Sequence, residues 1–333
     1  MKDVARLAGV SIGTVSNVLN HPAKVSGETA SRVHDAIVKL GFVRNEAARQ
    51  LRAGASRAVG LVILDARNPF FTDLSRGAET AAAEAGFSVI LGNSGESPER
   101  EDAYLDLFEE QRLHGVLISP VGELAPRVRK MRERGIPIVI VDRESADAGI
   151  SSVSVDDVAG GRLALGHLIG TGRRRLAFVG GPESIRQVAD RLSGARSAAA
   201  ARADVSLEVV ATSALTVQEG AAAARRVLDR PAGERPDGVF AANDLLAIGF
   251  LQELVAGGVR VPEEVALVGY DDIDFAAASI VPLTSVRQPA ELIGETALKL
   301  LLAETDAAAS APQQIRYQPE LVVRSSSGGL SKA

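Results

Sequence analysis

The sequence predicts an α/β protein: a small all-α helix-turn-helix head, then a core of two lobes built from doubly wound parallel sheets. Three observations carry this expectation. Short amphipathic helical stretches punctuated by Gly9 and Gly41 fill the N-terminal segment, short apolar runs alternate with helical stretches from Ala58 onward, and that alternation runs through two successive sets. A chain of 333 residues, 46% of them hydrophobic, can bury more than one core, so two or three compact units are expected.

In the head, Asp3 to Ala8 has helical composition, and Gly9 can take the left-handed conformation that ends a helix abruptly. Ser11 is a good N-cap for a second helix, in which Val15, Val18 and Leu19 form an inward stripe while Ile12, Gly13, Ser16 and Asn17 face out. A third helix begins after Ser26, carries Val33, Ile37 and Leu40 on one face, and stops at Gly41. The first two helices fit the geometry that lays a second helix in the DNA major groove, although a generic helical subdomain shares that spacing. Charge separates the head from the rest. Through residue 58 there are nine Lys/Arg against four acids, whereas the remaining chain carries 28 basic and 38 acidic residues, so a basic head joins an acidic body.

In the body, strands are expected near 59–64, 88–91, 115–119 and 138–141, then near 176–180, 238–242 and 266–270. Parallel sheets place ligands beyond the strand C-termini, and Asn243 and Asp271 fall there. Several function classes are disfavoured. No apolar run reaches the length of a membrane span, and the N-terminus MKDVARLAG is charged from its second residue, so a cytoplasmic protein without a membrane partner is expected. Cysteine is absent and the four histidines, His21, His34, His114 and His167, lie far apart, which leaves no disulfide, thiolate nucleophile, metal or cofactor to expect. The GGP at 180–182 could cradle phosphate, but no P-loop lysine follows, and no GxGxxG, GxSxG or HExxH occurs, so an enzyme is not expected.

The stretches KDVARLAGVSIGTVSNVLN, VSGETASRVHDAIVKLGF and NEAARQLRAG resemble the DNA-binding head and hinge of the lactose-repressor/galactose-repressor (LacI/GalR) family. The resemblance continues through NPFF (68–71), RLALGHL (162–168), FVGGP (178–182), AAND (241–244), VGYDD (268–272) and PLTSVRQP (282–289). It implies a transcriptional regulator, expected to be a repressor, that binds double-stranded operator DNA as a homodimer under control of a small-molecule effector, a sugar or sugar phosphate. A periplasmic sugar-binding protein would share the lobes but not the head. By the resemblance, Ile12, Gly13 and Asn17 face base edges: Asn17 can pair with an adenine and Ile12 can touch a thymine methyl, while Gly13 offers no side chain. Thr14, Ser16 and the backbone near Ser11 suit phosphate contacts. The hinge matches residues 45–56, with Asn45 at its start, Ala48 small enough for close approach, and Leu51 as the wedge that opens a base step. Arg44 stands where the family commonly has proline.

The domain expectation is 1–44 for the head, 45–56 for hinge and linker, and 57–333 for a periplasmic-binding-protein-like core. Its N-lobe would span about 57–155 and 287–316, and its C-lobe about 156–286 and 317–325. The effector is expected to meet Phe70, Phe71, Arg191, Asn243 and Asp271, with Asp244 and Asp272 acting structurally as helix caps. Leu215 and Ile185 replace a stacking aromatic and a purine-reading arginine found in some members, which argues against a purine. Dimer contacts are expected at Ile248 and Leu251 on the helix after Asn243, and the polar tail after Arg324 holds no heptads for a tetramer.

Overall fold

The computed structural model describes residues 1–42, 56–122, 125–305 and 311–328, which divide into two compact units, Met1–Ala55 and Ser56–Ala333. Arg44, Asn45, Ala48 and Leu51 lie outside the described residues.

In the first unit, helices α1 (Lys2–Ala8), α2 (Ile12–Asn20) and α3 (Gly27–Leu40) pack around Val4, Val15, Val18 and Val33. Gly9 and Gly41 end α1 and α3 with φ of 64° and 55°, the left-handed region where a Cβ is penalised. Ser11 and Ser26 cap the following helices by accepting from the amides of Thr14 and Thr29. One expectation fails here: Leu40 is exposed, and the third face position is filled by Ala36, one turn earlier.

The second unit holds two six-stranded sheets with the same winding. Strands β1 (Ala58–Ile63), β2 (Ser88–Asn93), β3 (Gly115–Ile118), β4 (Ile138–Val141), β5 (Ser152–Val155) and β11 (Gln314–Tyr317) form the N-lobe sheet in the order 11-5-4-3-1-2, all parallel. The C-lobe sheet comprises β6 (Arg175–Gly180), β7 (Ser206–Ala211), β8 (Gly238–Ala241), β9 (Ala266–Asp271), β10 (Thr284–Arg287) and β12 (Glu320–Val322), in the order 12-10-9-8-6-7. Only β12 runs antiparallel to its neighbour. The chain passes between sheets three times: after β5, after β10, and between β11 and β12.

Three helix pairs cover these sheets: α4 (Pro69–Glu84) with α12 (Ala290–Thr305), α7 (Asp157–Gly170) with α8 (Arg186–Ala200), and α9 (Val217–Leu228) with α10 (Asp244–Ala256). Each pair meets at reciprocal glycines. A Cβ on Gly77, Gly161, Gly194, Gly220, Gly249 or Gly294 would come within about 2 Å of a carbonyl oxygen on the opposing helix, so only glycine lets the two backbones touch. Two corrections belong to α10. Leu251 is 1% exposed and packs into the C-lobe's own core, so it offers no surface to a second subunit; Ile248 is half-buried. The cap of α10 is Asn243, which accepts from the Leu246 amide, while Asp244 binds the Ile273 amide and the Ser285 hydroxyl. Asp272 likewise is no cap: it bridges Arg287 and Arg324.

The glycine contacts yield a paired expectation. Gly194→Ala forces a Cβ onto the Val158 carbonyl and lowers stability by about 1–3 kcal/mol, despite alanine's better helix propensity. Gly166→Ala, exposed on α7 with nothing near its Cβ, raises stability by up to about 1 kcal/mol. Urea unfolding of both variants checks the contrast.

Candidate functional site

On the head, Ile12, Gly13 and Asn17 stand exposed on α2, while Thr14 and Ser16 are half-buried beside them. Ser11 is committed to its cap, with its Oγ 3.0 Å from the Thr14 nitrogen and 2.9 Å from the Thr14 hydroxyl, so the polar groups at this helix start are pre-ordered. A helix N-terminus with exposed small and polar side chains can approach a nucleic-acid groove closely.

The core carries a narrow cleft, with a free volume of about 30 Å³, whose lining comes equally from both lobes. From the N-lobe come Leu64 and Asp65 beyond β1, Asn68, Phe70 and Phe71 at the start of α4, Glu96 beyond β2, and Asp142 beyond β4. The C-lobe supplies Ile185, Gln187, Val188 and Arg191 at α8, Leu215 beyond β7, Asn243 beyond β8, and Asp271 at the end of β9. These are strand C-termini flanking the point where each sheet's order reverses, the crevice that open α/β sheets offer to ligands. All five residues expected at the effector site therefore line one cleft. Phe70 and Phe71 also belong to the N-lobe core, their rings edge-on at 5.1 Å, so they form a fixed apolar wall. Backbone strain gathers here: Glu96, Asp142 and Asp271 all have positive φ, at 62°, 68° and 104°.

Arg191 is far from the solvated arm that its helix position suggests. It is 4% exposed, its Nε donates to Asp157 at 2.8 Å, its Nη1 donates to the Ala242 carbonyl at 2.8 Å, and its guanidinium sits 3.7 Å from the centre of the Tyr270 ring. Asp271 lies 3.8 Å from the same Nη1. Burial works against the charge, but Asp157, Tyr270 and Asp271 outweigh it and raise the arginine's pKa further.

Two hydrogen bonds cross the cleft. The Asn68 amide donates to Asp271 at 3.0 Å, and the Gln187 amide donates to Asp142 at 2.5 Å. Asp271 also accepts from Gln288 at 2.7 Å, and Asp142 from the Ser119 hydroxyl at 3.1 Å. Burial pushes the Asp142 carboxyl up to about 8, with Asp157 and Asp271 adding to the rise and Arg191 opposing it. Burial likewise raises Asp271, against Arg191, Asn68 and Gln288.

Sequence reasoning missed Asn68, Asp142 and Gln187. Asp142 follows the apolar strand Ile138–Val141 just as Asp271 ends β9, so the strand-end rule could have found it. Asn68 sits in the NPFF motif and doubles as the cap of α4. Nothing in the sequence marks Gln187, which matters only because folding brings it 45 positions back along the chain to Asp142.

Residues 1–45 match the family model described as bacterial regulatory proteins, lacI family, and residues 165–327 match a periplasmic binding protein-like domain. The chain is 38% identical to the HTH-type transcriptional regulator CelR of Thermobifida fusca, across 97% of this chain and 96% of that protein. It is 36% identical to the ribose operon repressor of Bacillus subtilis, across 91% and 90%. The chain belongs to the lacI family of bacterial regulatory proteins.

Solved structures of lacI-family regulators agree with this fold. A CelR–cellobiose complex covers 98% of both chains at 34% identity and a TM-score of 0.73. The lac repressor dimer bound to operator and the anti-inducer ONPF covers 98% of both at 26% identity and a TM-score of 0.82. This lacI-family chain thus joins a DNA-binding head to a two-lobed core, and among its described residues no helix is long and apolar enough to cross a membrane.

Two outcomes follow from the buried charges. Arg191→Ala strands Asp157 and Asp271 in the interior and costs about 3–5 kcal/mol of core stability, measurable by urea unfolding. Asp142 holds its proton in the folded state up to about pH 8, whereas unfolded it titrates near the ordinary aspartate value of about 4. The folded state therefore binds more protons between those values, and this contribution to stability is lost as pH rises through that window. Asp142→Asn flattens the fall in unfolding free energy between about pH 5.5 and about pH 7.5 by up to about 1.4 kcal/mol per unit.

Proposed function

We propose that this chain is a sequence-specific repressor that binds a palindromic operator as a homodimer, with a sugar or sugar phosphate between its lobes setting the affinity for DNA. The observation that carries this reading is the cleft itself: polar side chains from two lobes converge on one volume and are tied across it by two hydrogen bonds. A ligand replacing those bonds binds one lobe arrangement more tightly than another, and only such differential affinity shifts a two-state equilibrium. The relatives support the two ends of the mechanism, since CelR has been solved with cellobiose and the lac repressor dimer with operator.

In this reading Ile12 and Asn17 read base edges and Gly13 lets the backbone approach. Ser11, Thr14 and Ser16 position the helix on phosphates, and Asn45, Ala48 and Leu51 form the hinge that enters the minor groove. Phe70, Phe71, Arg191, Asn243 and Asp271 hold the effector, with Arg191 acting through the carboxylates and backbone it orders. Ile248, half-buried on α10, contributes to the dimer contact. The role is non-catalytic, as its regulator relatives suggest, and the protein works in the cytoplasm, where its DNA target is.

The reading is tested with the full chain and a labelled palindromic operator. Basic side chains of two heads displace counterions, so affinity falls by about 10³-fold or more between roughly 50 mM and 200 mM salt. Fluorescence anisotropy measures it, and a flat salt dependence contradicts operator binding.

A further inference from the structure

We propose that Asp244 and Ser285 are positioning residues for the lobe arrangement: from behind the Asp271–Asp272 turn they hold its strained backbone, and so aim the Asp271 carboxyl at Asn68 of the other lobe. The inference goes beyond the reading above, because it concerns the ligand-free protein and two residues that are not among those lining the cleft.

Two successive residues of this turn, Asp271 and Asp272, have φ of 104° and 56°. Residues with a Cβ rarely adopt either value, and such a backbone persists only where its surroundings over-determine it. The turn meets that condition. The Asp272 amide donates to the Ser285 hydroxyl at 3.0 Å, that hydroxyl donates to Asp244 Oδ1 at 2.7 Å, and the Ile273 amide donates to Asp244 Oδ2 at 2.9 Å. One carboxyl therefore fixes two consecutive backbone amides, the first of them through a serine. Asp244 and Ser285 are both fully buried. Asp244 has no room to give way, because it lies against the β9 backbone at Gly269, where a Cβ would come within 2.1 Å of its Oδ1.

The same turn serves the contact between the lobes and the strands that join them. Asp271 accepts from Asn68 of the N-lobe and from Gln288, where the chain has just left β10. Asp272 accepts from Arg287 at 2.8 Å and from Arg324 at 2.5 Å. Arg287 ends β10, before the second passage between the lobes, and Arg324 follows β12, after the third. Arg287 also reaches Glu320, its register partner on β12, at 3.5 Å. The directions of the two neighbouring carboxyls follow from the same two φ angles. A turn relaxed to ordinary negative φ would redirect both, taking Asp271 off Asn68 and Asp272 off the arginines at the crossovers. A cluster that only supported the C-lobe core would change stability and leave the lobe arrangement alone.

The test measures lobe separation in the full-length protein by double electron–electron resonance. The chain has no cysteine, so Asp102→Cys on α5 (Pro98–Glu110) and Gln218→Cys on α9 place two spin labels at exposed sites. These helices follow β2 and β7, the outer strands farthest from the crossovers, where a hinge motion is largest. Labelled chain is diluted into unlabelled chain so that one copy per assembly reports. Asn68→Ser keeps a cap for α4 but not the reach to Asp271, and it is expected to broaden the distribution toward longer distances. Ser285→Ala is expected to shift it by the same amount, and the double variant no further than either alone, since both remove one bond. Ser285→Thr, which retains the hydroxyl, restores the wild-type distribution. If Ser285→Ala does not fold, Asp244→Asn, which keeps the volume and one acceptor, is held to the same criteria. A wild-type distribution in the positioning variant, a shift that adds to that of Asn68→Ser, or an Asn68→Ser variant that does not shift overturns the inference.

Discussion

The C-lobe is organised around the charge of Arg191. A guanidinium taken out of water is tolerated only when its hydrogen bonds and its charge are both met, and here separate elements meet them: Asp157 opens α7, the Ala242 carbonyl precedes α10, and Tyr270 and Asp271 end β9. The arginine's own backbone is equally constrained, because Gly161 of α7 packs directly on the Arg191 carbonyl. A side chain and a close helix contact therefore lock the same position. The result is a tightly bonded C-lobe wall whose cleft-facing end is the buried Asp271, and Asp271 is the residue that reaches Asn68 in the other lobe.

This rigidity within the lobes contrasts with what joins them. Each lobe has its own apolar core, and the reciprocal glycine pairs hold helices against one another within those cores. Across the cleft, the Asn68–Asp271 and Gln187–Asp142 hydrogen bonds compete directly with anything that enters. Net hydrogen-bond contributions of about 1 kcal/mol each are small enough for a ligand to replace and large enough to bias the lobe arrangement. The positive φ of Asp142 and Asp271 places strain at the very residues a ligand would meet, which is where a two-state device is expected to store it.

The acids of the cleft interact as a set. Asp142, Asp157 and Asp271 share one arginine, so a change at any of them is felt at the others, and the proton that Asp142 retains belongs to the set more than to the residue. Protonation and the hydrogen bonds between the lobes consequently involve the same groups.

Much of this was legible in the sequence, and the reason is locality. Gly9, Ser11, Ser26 and Gly41 mark helix ends by their own backbone chemistry, and buried parallel strands such as Ile138–Val141 read as continuous apolar runs. Strands β5 and β7 escaped that reading because their serines and glutamate interrupt the apolar pattern, and β10, β11 and β12 because they are short pieces whose pairing partners lie far off in the chain. Residue motifs located Phe71, Arg191, Asn243 and Asp271, but not what they touch. Leu251 and Ile248 share one helical stripe, and only packing decided that the first is core and the second partly open. Gln187 had no sequence signal at all. Its role depends on a bond between lobes, and such a bond exists only once two separately wound sheets have brought their strand ends face to face.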